Sequence, residues 1–143
     1  MNTEDYKDVF IPLIDYLKEI GCGEKQHGES NRSLLHHLVG TSKLLSERGG
    51  SDALCIAGLF HSIYGTAWFE HKMVSLEERV KIRELIGEWP EKIVYEFCIL
   101  PKDRREGIKE LPDGELKNDL IDLAYANHDE MRIWKERNND SDS

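Results

Sequence analysis

Three polar side chains fall where the surrounding pattern calls for apolar ones. His61 ends the apolar run of AGLFHSIYGT, residues 57–66. His37 lies in LLHHLVGTSKLL, where a helical advance of about 100° per residue aligns Leu34, Leu38, Thr41 and Leu45 in one stripe. His37 falls on the edge of that stripe and His36 points away. Asn127 falls in the middle of the stripe formed by Leu116, Leu120, Leu123 and Trp134. Glu130 stands at that stripe's edge, and Asp122 and His128 face outward. An inward imidazole or amide is costly unless hydrogen-bonded or coordinating. Burial favours the neutral imidazole, which is the commonest metal ligand. Two outcomes follow: a shared metal, or a metal-free network of His61, Ser62 and Asn127 that fixes the helices.

Further candidates surround this core. Arg79 and Arg83 are one turn apart. They either clamp a phosphate or carboxylate, or form a solvated face paired with Glu78 and Glu84. Tyr64 and Thr66 either contact a substrate or close the loop after His61. Trp68, Phe69, Trp89, Tyr95 and Phe97 read as packing, and His71 as an exposed loop residue. Cys22, Cys55 and Cys98 are odd in number and widely spaced, with no CxxC pair, so no disulfide framework is expected. Cys55 and Cys98 read as small core residues. No G-x-S-x-G elbow, P-loop or dinucleotide fingerprint occurs.

The elements that must position these residues read as helices. Val9, Phe10, Leu13, Ile14, Leu17 and Ile20 recur at helical spacing, with Gly21 as the stop and Pro12 expected near a helix start or a kink. CGEKQHGESNR, residues 22–32, reads as a polar loop. A second helix is expected over about 33–48, and a third, capped by Ser51 or Asp52, carries ALCIAGLF, apolar on every side. An irregular connection follows. Ser75 with Glu78 forms a capping box that starts a helix over 76–86. EWPEKIVYEFCIL reads as a fifth helix and residues 101–114 as a loop. Asp113 caps a last helix to about Arg137, and the tail 138–143 reads as disordered.

At 143 residues, the chain is one domain's worth, 39% hydrophobic and 33% charged. The expected fold is all-α: a compact single-domain bundle of five to seven helices. No apolar stretch approaches a membrane span, and the acidic, polar start MNTEDYKDVF is not a secretory signal, so a cytoplasmic protein is expected. The net charge of −9 argues against a nucleic-acid backbone binder and leaves a small-molecule ligand as the expected partner.

HHLVGTSKLL, AGLFHSIYG and AYANHDE together resemble the HD-domain superfamily, helical metal-dependent phosphohydrolases and some iron-dependent oxygenases. More narrowly, they resemble an uncharacterised HD-like family built around HSxYGT. The resemblance covers most of residues 27–130. It implies His37 as the first metal ligand and His61 as the His of the His-Asp pair. Ser62 and Asn127 stand where that superfamily has aspartates. Both replacements remove the carboxylates that hold two dications, which points away from a two-metal phosphohydrolase. A single iron, manganese or zinc ion on His37, His61 and a further group such as His27 is the first expectation, with Glu130 or Glu78 as base. Tyr64, Thr66, Arg79, Arg83, Ser62 and Asn127 would then hold a small polar or anionic metabolite, for hydrolysis or oxidation. The alternative is a non-catalytic member of the fold that binds a small molecule or a protein.

Overall fold

The heptad-like spacing of apolar residues resolves into seven helices in a computed structural model that describes residues 3–27 and 32–139. They are α1 (Thr3–Glu19), α2 (Leu34–Glu47), α3 (Asp52–Phe60), α4 (Arg79–Ile86), α5 (Glu88–Cys98), α6 (Arg104–Lys109) and α7 (Glu115–Asn139). A 3-10 turn, Leu76–Glu78, leads into α4. There is no strand among the described residues, only an isolated bridge between Gln26 and Ser33. The chain is therefore an all-α domain. No helix among the described residues is long and apolar enough to cross a membrane.

α3 sits at the centre. Ser51 Oγ caps it by accepting from Leu54 N at 3.1 Å, and Leu54, Cys55, Ala57, Gly58, Leu59 and Phe60 are all buried. It packs on α2 and α5, while α2 packs its other flank on α7. Gly58 permits the close crossing of α2 and α3: a Cβ there would lie 2.6 Å from Leu45 Cδ1, inside a fully packed wall. Ser33 Oγ caps α2 by accepting from His36 N at 3.1 Å.

The stretch after α3 lacks helix yet is well fixed. Gly65, at φ 83°, closes a turn onto Ser62 O at 2.9 Å, and Ile63 O accepts from both Met73 N and Val74 N. Thr66 Oγ1 accepts from Trp68 N and Phe69 N at 3.2 and 2.9 Å. Ile63, Tyr64, Thr66 and Phe69 are buried in consequence.

Several boundaries differ from expectation. α1 begins at Thr3 and carries Pro12 in its interior rather than near its start. α6 occupies part of the expected 101–114 loop, with Asp103 as its cap, accepting from Glu106 N at 3.1 Å. Asp113 does not cap α7; its carboxylate pairs with Lys117 Nζ at 3.3 Å. α7 continues through Asn139, with Asn138 Nδ2 donating to Trp134 O at 2.8 Å, so the expected disordered tail begins too early; residues 140–143 lie outside the described residues. Trp68 is not core: it is 66% exposed, its indole N–H held by Lys102 O at 2.9 Å.

Phe60 is fully buried and stacks on Tyr16 of α1 at 6.2 Å between centroids. Phe60→Ala should destabilise the fold by about 3–5 kcal/mol, read as a lower urea midpoint at unchanged m-value.

Candidate functional site

The inward polar residues of α2, α3 and α7 do meet, but they spend most of their bonding capacity on one another. Glu130, one turn beyond Asn127 on α7, points its carboxylate at α2. Arg32, just ahead of the α2 cap, donates to both of its oxygens at 2.6 Å, and His37 Nδ1 donates to Oε1 at 2.5 Å. The other nitrogen of His37, Nε2, lies 2.8 Å from Asn127 Oδ1. With the Asn127 amide placed this way His37 donates from both nitrogens; with the amide turned over, its NH2 would donate into Nε2. In either orientation Nε2 is engaged.

Burial opposes charge on Glu130, yet the hydrogen bonds from His37 and Arg32 outweigh it and hold the carboxyl down at about 2. Arg32 is backed on its other side by the Trp134 ring, 4.8 Å from the guanidinium carbon. This explains why Trp134 belongs to the inward stripe although it is only partly buried.

Around His37 runs a row of rings. His27 stacks flat on it, centroids 4.0 Å apart at 12°; His61 meets it edge-on at 5.0 Å; Phe97 meets His61 edge-on at 5.5 Å. His61 Nδ1 donates to Gly58 O at 2.7 Å, which fixes the tautomer and leaves the lone pair on Nε2. Burial and the neighbouring His37 lower the pKa of His61 well below its ordinary value; the same causes bring His27 to about 3. Both rings are neutral at pH 7.

A metal fits this arrangement poorly. Parallel stacking aims the nitrogens of His27 and His37 within separate planes rather than at one point. Both nitrogens of His37 are engaged, and among the described residues no three His, Cys, Asp or Glu side chains are placed to hold an ion. The expected ligand set of His37, His61 and His27 comes together as a cluster without converging. Ser62, beside His61, has a buried hydroxyl with no hydrogen-bond partner among the described residues.

The other candidates form a second cluster. Arg79 does not pair with Glu78, nor Arg83 with Glu84. Arg79 donates from Nε and Nη2 to the two oxygens of Glu91, both at 2.8 Å, and Arg83 approaches at 3.7 Å. Tyr64 OH donates to Glu91 at 2.9 Å. Burial raises the pKa of Glu91 but these partners outweigh it and hold it low. Arg79 also stacks on Tyr95 at 3.6 Å. Glu78 is spent on the helix start, accepting from Ser75 N at 3.1 Å, and does not join the histidine cluster. Burial pushes the Cys98 thiol up to about 12, so it is no nucleophile at neutral pH.

Two cavities open elsewhere. One, of about 280 Å³, lies beside the HSIYGT turn and is lined by Tyr64, Thr66, Glu70, Lys72, Leu76 and Ile99 among others. The other, of about 380 Å³, lies between the end of α2 and α7, with Arg48, Asp122, Tyr125 and Asp129 on its walls. Neither is lined by His37, His61, Asn127 or Glu130.

Arg32 and Glu91 carry no signal in the sequence. Arg32 stands in a polar loop with its partner 98 residues away, and Glu91 in a first helical turn reads as a solvated acid. Gly40 does carry one. A glycine inside a helix is unfavourable, and here a Cβ would lie 2.6 Å from Glu130 Oε2 and 3.0 Å from its Cγ and Cδ.

Residues 16–102 match the model of a family described as a domain of unknown function, DUF6817, and the chain belongs to that family. No curated protein and no solved structure matches the chain.

Gly→Ala inside a helix ordinarily stabilises by about 0.5–1 kcal/mol. Gly40→Ala should instead destabilise, by about 1–3 kcal/mol, because Glu130 is pinned by three hydrogen bonds and cannot withdraw. Equilibrium urea unfolding reads the sign.

Acid should weaken the fold in two stages. Above their ordinary pKa of 6.5, His27 and His61 are neutral folded or unfolded. Below it the unfolded chain takes up protons that the folded chain refuses, so stability falls as pH drops through 6.5. Glu130 adds a further loss between its ordinary value of 4.5 and its folded value of about 2. Urea midpoints from pH 8 to 2 should follow this course, and His27→Gln should flatten its first stage.

Proposed function

We propose that this member of DUF6817 is a non-catalytic, HD-like binding protein for a small polar molecule. The cleft beside the HSIYGT turn takes the ligand, and the histidine cluster is the frame behind it. The observation that carries this reading is the engagement of both ring nitrogens of His37 within the protein. The residues best equipped for acid–base or metal chemistry are occupied with one another and buried. Around the cleft, by contrast, Glu70 and Lys72 are exposed and form no ion pair among the described residues, next to the apolar faces of Leu76 and Ile99. Tyr64 and Thr66, singled out from sequence as ligand contacts, line the same cleft. The net charge of −9 favours a small solute over a nucleic acid.

A second reading, one divalent transition metal on His37 and His61, is favoured by a single feature. The Glu130 carboxylate behind His37 Nδ1 is the backing that metal-bound imidazoles commonly have.

One pair of measurements separates the two. Amide shifts of the ¹⁵N-labelled chain, titrated with amino acids and small carboxylic acids, should move at residues 64–76 and 98–99. Lys72→Ala should weaken the response at least fivefold. Shifts absent from that region across the panel would overturn the binding reading. Iron, manganese or zinc at one per chain in untagged protein, lost in His37→Ala and His61→Ala, would replace it with the metal reading.

A further inference from the structure

Acidic residues outnumber basic ones 28 to 19 in this chain, so a half-buried cation is expected to find a carboxylate. Arg32 finds Glu130, and Arg79 finds Glu91. Arg104, at the start of α6, does not. It is partly buried, with its guanidinium carbon 4.6 Å over the Phe97 ring. Among the described residues it makes no ion pair and no hydrogen bond. The carboxylates nearest in sequence are occupied: Asp103 caps α6 by accepting from Glu106 N, and Glu106 pairs with Lys109 at 3.5 Å.

The cost of this placement is visible. Burial lowers the Arg104 pKa, no carboxylate offsets it, and its charge in turn disfavours protonation of His61. None of the Arg104 nitrogens is cut off from solvent, and five N–H donors in a planar fork fit two oxygens of a carboxylate or phosphate. Lys102 and Ser62 are further potential donors. Lys102 lies two residues earlier, its ammonium 5.9 Å from the Trp68 ring. Ser62 follows His61, whose ring abuts the same Phe97, and its buried hydroxyl has no partner.

We propose that the corner where α5 meets α6 is an oxyanion site in which Arg104, stacked on Phe97, grips a carboxylate or phosphate group of a small solute. This goes beyond the cleft reading and stands without it, since Arg104 is not among the cleft's lining residues.

The test is a titration of the ¹⁵N-labelled full chain with inorganic phosphate, with acetate and with chloride at constant ionic strength. The expected result is a saturable shift of residues 97–106 with phosphate or acetate and none with chloride. Arg104→Met, which keeps an unbranched stem over Phe97, should weaken it tenfold or more. The stronger of the two anions identifies the group. Equal shifts with all three anions, or an unaltered response in Arg104→Met, would overturn the proposal. Should Arg104→Met fail to fold, Arg104→Lys serves instead: it keeps the charge but loses the fork, and at least threefold weaker binding is expected. Unchanged binding there would overturn it equally. The cleft reading is judged separately at residues 64–76, because residues 98–99 line the cleft and also fall within 97–106.

Discussion

The Glu130 carboxylate is the group on which the arrangement of α2, α3 and α7 turns. It reaches from the third-last turn of the longest helix to an arginine and a histidine more than ninety residues earlier. A carboxylate so deeply placed is tolerated only with its lone pairs filled, and three donors fill them. Both side chains that supply these donors are themselves constrained: Arg32 by Trp134, His37 by Asn127 and by the rings of His27 and His61. Gly40 leaves the space in α2 that the carboxylate occupies. The geometry of the whole cluster is thereby set by one side chain.

The Glu91 cluster repeats the design at the start of α5. Again an acid inside the fold is held by an arginine fork and one further donor, here Tyr64. The HSIYGT turn lies between the two clusters, with His61 facing the first and Tyr64 the second. A turn tied down at both ends in this way is rigid without being helical, which suits it to form one wall of a cleft.

Much of this was legible before any coordinates. The stripe of α2 separated His37 from His36 correctly, because helical periodicity alone decides which of two adjacent residues faces in. The stripe of α7 placed Asn127 and Glu130 inward for the same reason. The cap of α3 followed from local chemistry, and Ser51 rather than Asp52 supplies it. The partners did not follow. Arg32 and Glu91 lie in stretches whose polarity suits solvent, and only tertiary packing brings them inside. For Arg79 the sequence leaves open an anion clamp or a solvated face paired with Glu78 and Glu84. The structure pairs it with Glu91 on the next helix, where the geometry is bidentate and desolvated. His27, His37 and His61 come together, but their nitrogens do not converge, and ring orientation is something that spacing does not encode.

The reach of Glu130 bears on where the domain begins and ends as a folding unit. The family match closes at residue 102, yet the acceptors for Arg32 and His37 both sit on α7. Synthesis delivers Arg32 and His37 long before the carboxylate that accepts from both. Until α7 docks, Arg32 lacks the carboxylate it pairs with, and the loop to be closed spans almost a hundred residues. Sequence similarity therefore stops short of the cooperative unit, and α7 is the final piece that lets the centre of the molecule dry out.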